Sequence, residues 1–142
     1  VVVSPVLEQV QMIEQAGFDY IQIHGEIPPG YSESCHLPVL KAFNIRDMKD
    51  FSQYSADPAV AGYVFDAIEP GSGQVFDWSL VKEVPRDEKL FFLAGGLNPD
   101  NVAEAIRSIY PDGVDVSSGV EYGRERTGKD PEKVRKFVEA AR

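Results

Sequence analysis

Short runs of β-branched and aromatic residues alternate along this chain with segments whose apolar positions recur at helical spacing. The runs at 1–3, 20–23, 39–43, 62–65, 90–94 and 114–116 predict six strands, the fourth ending at Asp66. Ser4 and Pro5 offer a cap and a first helical position after the first run, and Gly17 a stop, with Val6, Val10 and Ile13 on one face. Asn98-Pro99 repeats that signal ahead of Val102, Ala105, Ile106 and Ile109. Asp130-Pro131 does so ahead of Val134, Phe137, Val138 and Ala141. Shorter helices are predicted over 48–54 and near 78–82. The stretch 25–38 holds Pro28, Pro29 and Gly30 and predicts a loop with at most one short helix.

Strands that alternate with helices, mostly as continuous apolar runs, predict an α/β fold with a parallel sheet covered by helices. No linker or low-complexity tract divides the chain, so one domain over 1–142 is expected. Periodicity alone leaves both a closed barrel and an open doubly wound sheet available.

Composition narrows the function classes. Lys plus Arg number 14 against 23 Asp plus Glu, a net charge of −9, and the densest basic stretch, 124–129, is interrupted by Glu125. Such a surface repels nucleic acid and anionic membranes, so neither is expected as a partner. No apolar run reaches membrane-spanning length and no signal peptide is visible. The single cysteine, Cys35, excludes an internal disulfide and suits a reducing cytoplasm. His24 and His36 are the only histidines, too few beside Cys35 for a metal centre. The chain opens on Val1-Val2-Val3 with no initiator methionine, and the expectation is that it begins inside a longer polypeptide.

Polar residues and glycines gather where the predicted strands end: Gln22, His24 and Gly25, then Asp66, then Gly95-Gly96, then Ser117-Ser118-Gly119. In βα-barrels those ends carry the active site. Paired glycines let backbone N–H groups approach an anion, and two such loops after successive final strands favour phosphate over plain tight turns. An apolar strand delivers Asp66 to the mouth, where partial burial would suit a carboxyl group to donate a proton. A loop salt bridge or a helix cap is the alternative. Gly71-Ser72-Gly73 forms either a lid over a ligand or a flexible turn. His24 either contacts a ligand or hydrogen-bonds a neighbouring loop, and Asp115 is structural or functional. Trp78, flanked by Phe76 and Leu80, is expected to pack between a helix and the sheet.

In order and spacing, Gln22-Ile23-His24-Gly25, Phe65-Asp66, Gly71-Ser72-Gly73 and Phe76-Asp77-Trp78 resemble the phosphoribosylanthranilate isomerase family. So do 93–99 with Asn101-Val102, then 113–121, and Gly128-Lys129-Asp130. The resemblance runs over nearly the whole chain. It implies a (β/α)₈ barrel of the TIM type that carries out an Amadori rearrangement without metal or organic cofactor. The substrate would be a phosphorylated ribosyl anthranilate. By the same resemblance Asp66 is the general acid that opens the furanose ring. Gly71, Gly73, Gly95, Gly96, Ser118, Gly119, His24 and Gln22 contact substrate or its phosphate.

The resemblance further implies that the six strands are the family's third to eighth. The first two βα units, roughly 60 residues, are then missing, and with them a cysteine base and an arginine facing the anthranilate carboxylate. Cys35 lies in a crossover and is expected to be a loop cysteine rather than a substitute. Ala67 stands where the family tends to place serine or threonine, and Arg124, Glu125 and Arg126 enlarge the charge of one loop. Three expectations follow: no significant turnover by this chain alone, exposed edges on the first and last strands, and self-association, a loop or terminus folding into the gap, or complementation by an N-terminal barrel fragment. The alternatives are a non-catalytic barrel module that folds and binds phosphate, and a related indole-3-glycerol-phosphate synthase. The latter wants a lysine pair, and only Lys41 lies near a strand.

Overall fold

The computed structural model describes residues 1–66, 78–123 and 126–142. Six parallel strands form one sheet in chain order: β1 (Val2–Val3), β2 (Ile21–His24), β3 (Val39–Asn44), β4 (Val60–Asp66), β5 (Leu90–Ala94) and β6 (Gly113–Val114). Between them run α1 (Leu7–Gln15), α2 (Tyr31–Ser34), α3 (Phe51–Ser55), α4 (Ser79–Lys82) and α5 (Val102–Ile109). A 3₁₀ turn at Ser118–Val120 and α6 (Pro131–Ala141) close the described chain. Sequential strand order with a helical crossover after each strand is the arrangement of a TIM-type βα barrel. Among the described residues β1 and β6 remain edges of an open sheet.

The pairing register divides the sheet into two faces. Gln22 lies beside Leu40, Leu40 beside Gly62, Ala42 beside Val64, and Asn44 beside Asp66. Gly62 continues to Leu90, Val64 to Phe92 and Asp66 to Ala94. These residues share one face by the two-residue repeat of a strand. Among the described residues it holds a small buried cluster of Ala42, Val64 and Ala94, with Leu40 and Phe92 against it. The other face holds the main core. There Ile23, Val39, Tyr63, Phe65, Phe91 and Leu93 meet Val10, Val81, Val102 and Ala105 from the helices.

Phe65 is central to that core: its ring lies 5.9 Å from Phe43, 6.0 Å from Phe51, 5.8 Å from Tyr63 and 4.6 Å from Phe91. Helices too short to be stable alone are held by burying Tyr54, Val81 and their neighbours on this aromatic cluster. Trp78 packs against it as expected.

Several local expectations are corrected. Ser4 does not cap α1. It has φ 39°, and its Oγ accepts from Glu26 N–H at 3.1 Å, tying β1 to the loop after β2. The helix begins two residues beyond Pro5, where the Gln9 side chain accepts the Val6 N–H at 3.0 Å, and Val6 is exposed outside the helix. Asn98 organises a turn through Asp100 and Asn101 N–H, and α5 proper starts at Val102. Asp130 does cap α6, accepting from Glu132 N–H at 2.9 Å. Val134 and Val138 remain exposed on α6, however, because that helix packs through Phe137 onto α5 and the 3₁₀ turn, leaving their side uncovered. The crossover at 25–38 is a loop with the four-residue α2, and Cys35 at its end is buried.

Replacing Phe65 with alanine removes the ring shared by four aromatic neighbours and should lower stability by about 3–5 kcal/mol, read as a shift of the urea-unfolding midpoint.

Candidate active site

The inner face of the sheet turns polar at its C-terminal edge. Gln22 and His24 end β2, Asp66 ends β4, and Asp115 follows β6 with its N–H on the Leu93 carbonyl at 2.9 Å. Parity places them there: each falls on the strand positions whose earlier members are Leu40, Val64 and Phe92. A cavity of about 380 Å³ opens among Gln22, His24, Ala42, Val64, Asp66 and Asp115. A narrower pocket of about 160 Å³ adjoins it, sharing Asp66, Ala94, Asp115, Val116 and Ser117. Its walls are the loop Gly95-Gly96-Leu97 and the turn Ser117-Ser118. Asp66 lines both spaces and is half-buried between them.

The narrow pocket is lined largely by glycines and small or short side chains. Gly95 and Gly96 adopt φ of 82° and 66°, the left-handed region closed to most side chains. A Cβ on Gly119 would overlap the Leu97 carbonyl, so this glycine lets the 118–120 turn sit directly on the loop after β5. The Asn101 side-chain amide donates to the Gly96 carbonyl at 3.0 Å and holds the first loop from behind. Ser118 lies at this pocket, exposed.

Of the residues expected at the site, Gln22, His24, Asp66, Gly95, Gly96 and Ser118 line these two adjoining spaces, and Gly119 braces their wall. Gln22 Nε2 lies 3.2 Å from His24 Nε2, so these two side chains hydrogen-bond each other at the mouth of the wide cavity. Gly71 and Gly73 lie outside the described residues. Cys35 stands apart, near the opposite end of the strands, where burial and the Glu14 carboxylate push its thiol pKa up. A raised pKa keeps the thiol protonated and unreactive. Among the described residues no group of three or more His, Cys, Asp or Glu could hold a metal ion, and no helix is long and apolar enough to cross a membrane.

Two lysines carry more than sequence reasoning gave them. Lys41 is buried on the helix-facing side of β3, its Nζ donating to the Ala42 carbonyl at 2.9 Å and lying 4.5 Å from the Phe43 ring and 4.7 Å from that of Tyr54. Burial lowers its pKa, with Asp50 opposing. It stands on the face opposite Asp66 and cannot serve a reaction there. Strand parity was the available signal, since Lys41 alternates with Val39 and Phe43. Lys129 makes three side-chain bonds behind Ser117, described below.

A sheet of parallel strands in chain order, crossed by helices and carrying its polar residues at the C-terminal strand ends, places the chain among TIM-type βα-barrel proteins. Residues 1–140 match the model of the N-(5'phosphoribosyl)anthranilate (PRA) isomerases, and the chain belongs to that family. The N-(5'-phosphoribosyl)anthranilate isomerase of Syntrophomonas wolfei is 41% identical over 132 residues, covering 90% of this chain and 63% of the relative. That of Streptococcus mutans is 38% identical over 143 residues, 100% of this chain and 70% of the relative. The crystal structure of phosphoribosyl anthranilate isomerase from Thermotoga maritima superposes with a TM-score of 0.77 at 34% identity, covering 99% of this chain and 70% of that one. Another, solved in complex with reduced 1-(o-carboxyphenylamino)-1-deoxyribulose 5-phosphate, gives 0.72 at 32% identity, with 99% and 68% covered. The chain thus spans about 63% of the length of relatives such as the Syntrophomonas protein.

Gly119→Ala should lower stability by about 1–3 kcal/mol through overpacking against Leu97. Gly123→Ala, where a Cβ meets nothing within 4 Å, should stay within about 0.5 kcal/mol of the parent; thermal unfolding of both reads the difference. Lys41 titrates below its ordinary 10.5 in the folded chain, so between the lowered value and 10.5 the unfolded state binds more protons and stability rises with pH. Urea unfolding across that window should show this rise in the parent relative to Lys41→Met.

Proposed function

We propose that this chain furnishes the acid side and the phosphate cradle of a phosphoribosylanthranilate isomerase. The observation that carries this is the position of Asp66, at the junction of a cavity wide enough for an aromatic amine and sugar and a narrow glycine-walled pocket. Phosphate in the narrow pocket would meet the backbone of Gly95, Gly96, Ser118 and Gly119. That anchor would set the ribose across Asp66 and the anthranilate over Ala42 and Val64, near Gln22 and His24. The Asp66 carboxyl group protonates the furanose oxygen, the C1–O bond breaks, and the nitrogen lone pair forms the C1=N bond of an open-chain iminium ion, the nitrogen keeping its hydrogen. Loss of the C2 proton to a base then gives the enolamine, which tautomerises to the 1-amino-2-ketose. The aspartate regains its proton along this path, and no electrons leave the substrate, so no redox cofactor is required.

The base must stand across the cleft from Asp66, on the side that β1 and β6 leave open. Cys35 is too remote in the fold and is protonated. The reaction therefore calls for closure of the sheet by further barrel units, supplied by the same polypeptide or by another chain. The wide cavity and the exposed Val1 and Val3 lie at that open edge. The chain is read as one domain over 1–142 whose small-molecule substrate is the phosphorylated sugar anthranilate, in a cytoplasmic biosynthetic route to tryptophan. A folded module that binds phosphate without turnover is the second reading, favoured by Gly95, Gly96 and Ser118 lining one pocket within this chain.

Joined to the N-terminal portion of a relative that it does not cover, the chain should isomerise phosphoribosylanthranilate, followed by loss of substrate fluorescence. Asp66→Asn should lower kcat by about 10²–10⁴-fold. Undiminished turnover in that variant overturns the assignment of the acid. Phosphate binding with no turnover by the joined protein selects the non-catalytic module.

A further inference from the structure

Lys129, which lines neither of the two spaces, holds the Ser117 turn. Its Nζ donates to the Ser117 carbonyl at 2.9 Å, to Ser117 Oγ at 2.9 Å and to Glu121 Oε1 at 2.8 Å. An ammonium has three N–H donors, so these bonds use all of them. The charge is matched by the Glu121 carboxylate in the same contact. Lys129 thus has neither a spare donor nor a net charge to offer a ligand in this arrangement.

What it does hold is a short strap. Glu121 and Lys129 form an antiparallel bridge, Tyr122 N–H donates to the Gly128 carbonyl at 3.0 Å, and Asp130 N–H donates to the Val120 carbonyl at 2.8 Å. Lys133 Nζ reaches the Glu121 carbonyl at 2.7 Å. The strap brackets the 118–120 turn, whose Gly119 rests on the Leu97 carbonyl. One wall of the pocket is fixed by Asn101 on Gly96, and the other by Lys129 on Ser117.

We propose that Lys129 is a positioning residue: it fixes the peptide planes of 117–119 and thereby sets how tightly the pocket holds a phosphate group, without touching that group itself. This rests on the phosphate reading of the pocket. Ser117 has φ −125° and ψ −80°, outside regular strand or helix, and the bond from Lys129 to its carbonyl fixes the peptide that carries the Ser118 N–H. Removing the ammonium leaves that carbonyl with the Val120 N–H at 3.3 Å as its remaining partner, which loosens the peptide without releasing it and so weakens the hold on the pocket wall.

The test measures amide exchange and phosphate affinity on the same 142-residue chain, with inorganic phosphate as the probe. In Lys129→Met, amides of 118–121 should exchange at least about tenfold faster without any ligand, while those of β3, β4 and α5 keep their protection. The Kd for phosphate should rise roughly tenfold, with partial recovery in Lys129→Arg. Glu121→Gln gives the opposite sign for the two possible roles. A lock that loses one arm weakens phosphate binding, whereas a released ammonium acting as a ligand tightens it. Unchanged exchange in Lys129→Met, or tighter binding in Glu121→Gln, overturns the proposal. If the parent binds no phosphate while Lys129→Met still loses protection at 118–121, the phosphate reading fails and the lock on the turn stands.

Discussion

Parallel pairing of strands with a two-residue repeat is the constraint on which everything else in this molecule depends. Once Leu40 lies beside Gly62, and Gly62 beside Leu90, every alternate residue is committed to one face. Phe43, Tyr63, Phe65 and Phe91 then meet the helices, and Val64, Asp66 and Ala94 reach the cleft. A slip of one residue on β4 would bury Asp66 in the aromatic cluster and expose Phe65. The burial of Phe65 and the availability of Asp66 are thus the same event.

The two faces are unequal, and this matters for function. The helix side carries the large core, including five aromatic rings in mutual contact, and supplies most of the rigidity. Among the described residues the cleft side buries Ala42, Val64 and Ala94 in its cluster, small residues that leave room above them. A rigid sheet with a sparsely filled face offers fixed strand ends around an open volume. The pocket beside Asp66 extends this logic, because Asn101 and Lys129 each hold a main-chain carbonyl of its lining, those of Gly96 and Ser117. Backbone so held aims its N–H groups without the rotamer entropy that a side-chain cradle would lose on binding.

Charged groups are handled differently on the two faces. Lys41 sits among Phe43 and Tyr54 with one backbone carbonyl as its hydrogen-bond acceptor, and burial depresses its pKa. The Tyr63 hydroxyl is buried too, and its hydrogen bond to Asp87 at 2.6 Å raises its pKa further. At the far end of the sheet, Arg86 donates to the Ile109 carbonyl, and Asp112 accepts the Phe91 N–H at 2.8 Å. These contacts join loops to strands at the end away from the cleft, where barrels place stability rather than chemistry.

Six strands and the polar character of their ends were legible in the amino-acid order, because each rests on local signals: apolar runs, proline after a cap, glycine at a stop. Membership of the isomerase family was legible too, since its motifs are short and ordered along the chain. Position-specific roles were less so. Ser4 has the chemistry of a cap but is drawn to Glu26 by the β1–β2 pairing, and Val134 and Val138 have the spacing of a buried stripe but lie beyond the reach of α5. Lys41 and Lys129 look alike as residues. One is buried against aromatic rings and the other braces a loop, because strand parity and an antiparallel bridge bring each to its partners. Local order along the chain thus determined the elements and their likeness to a family. Which groups converge, and which only stand nearby, was decided by tertiary pairing, because contacts between residues far apart in sequence exist only once the sheet has fixed its register.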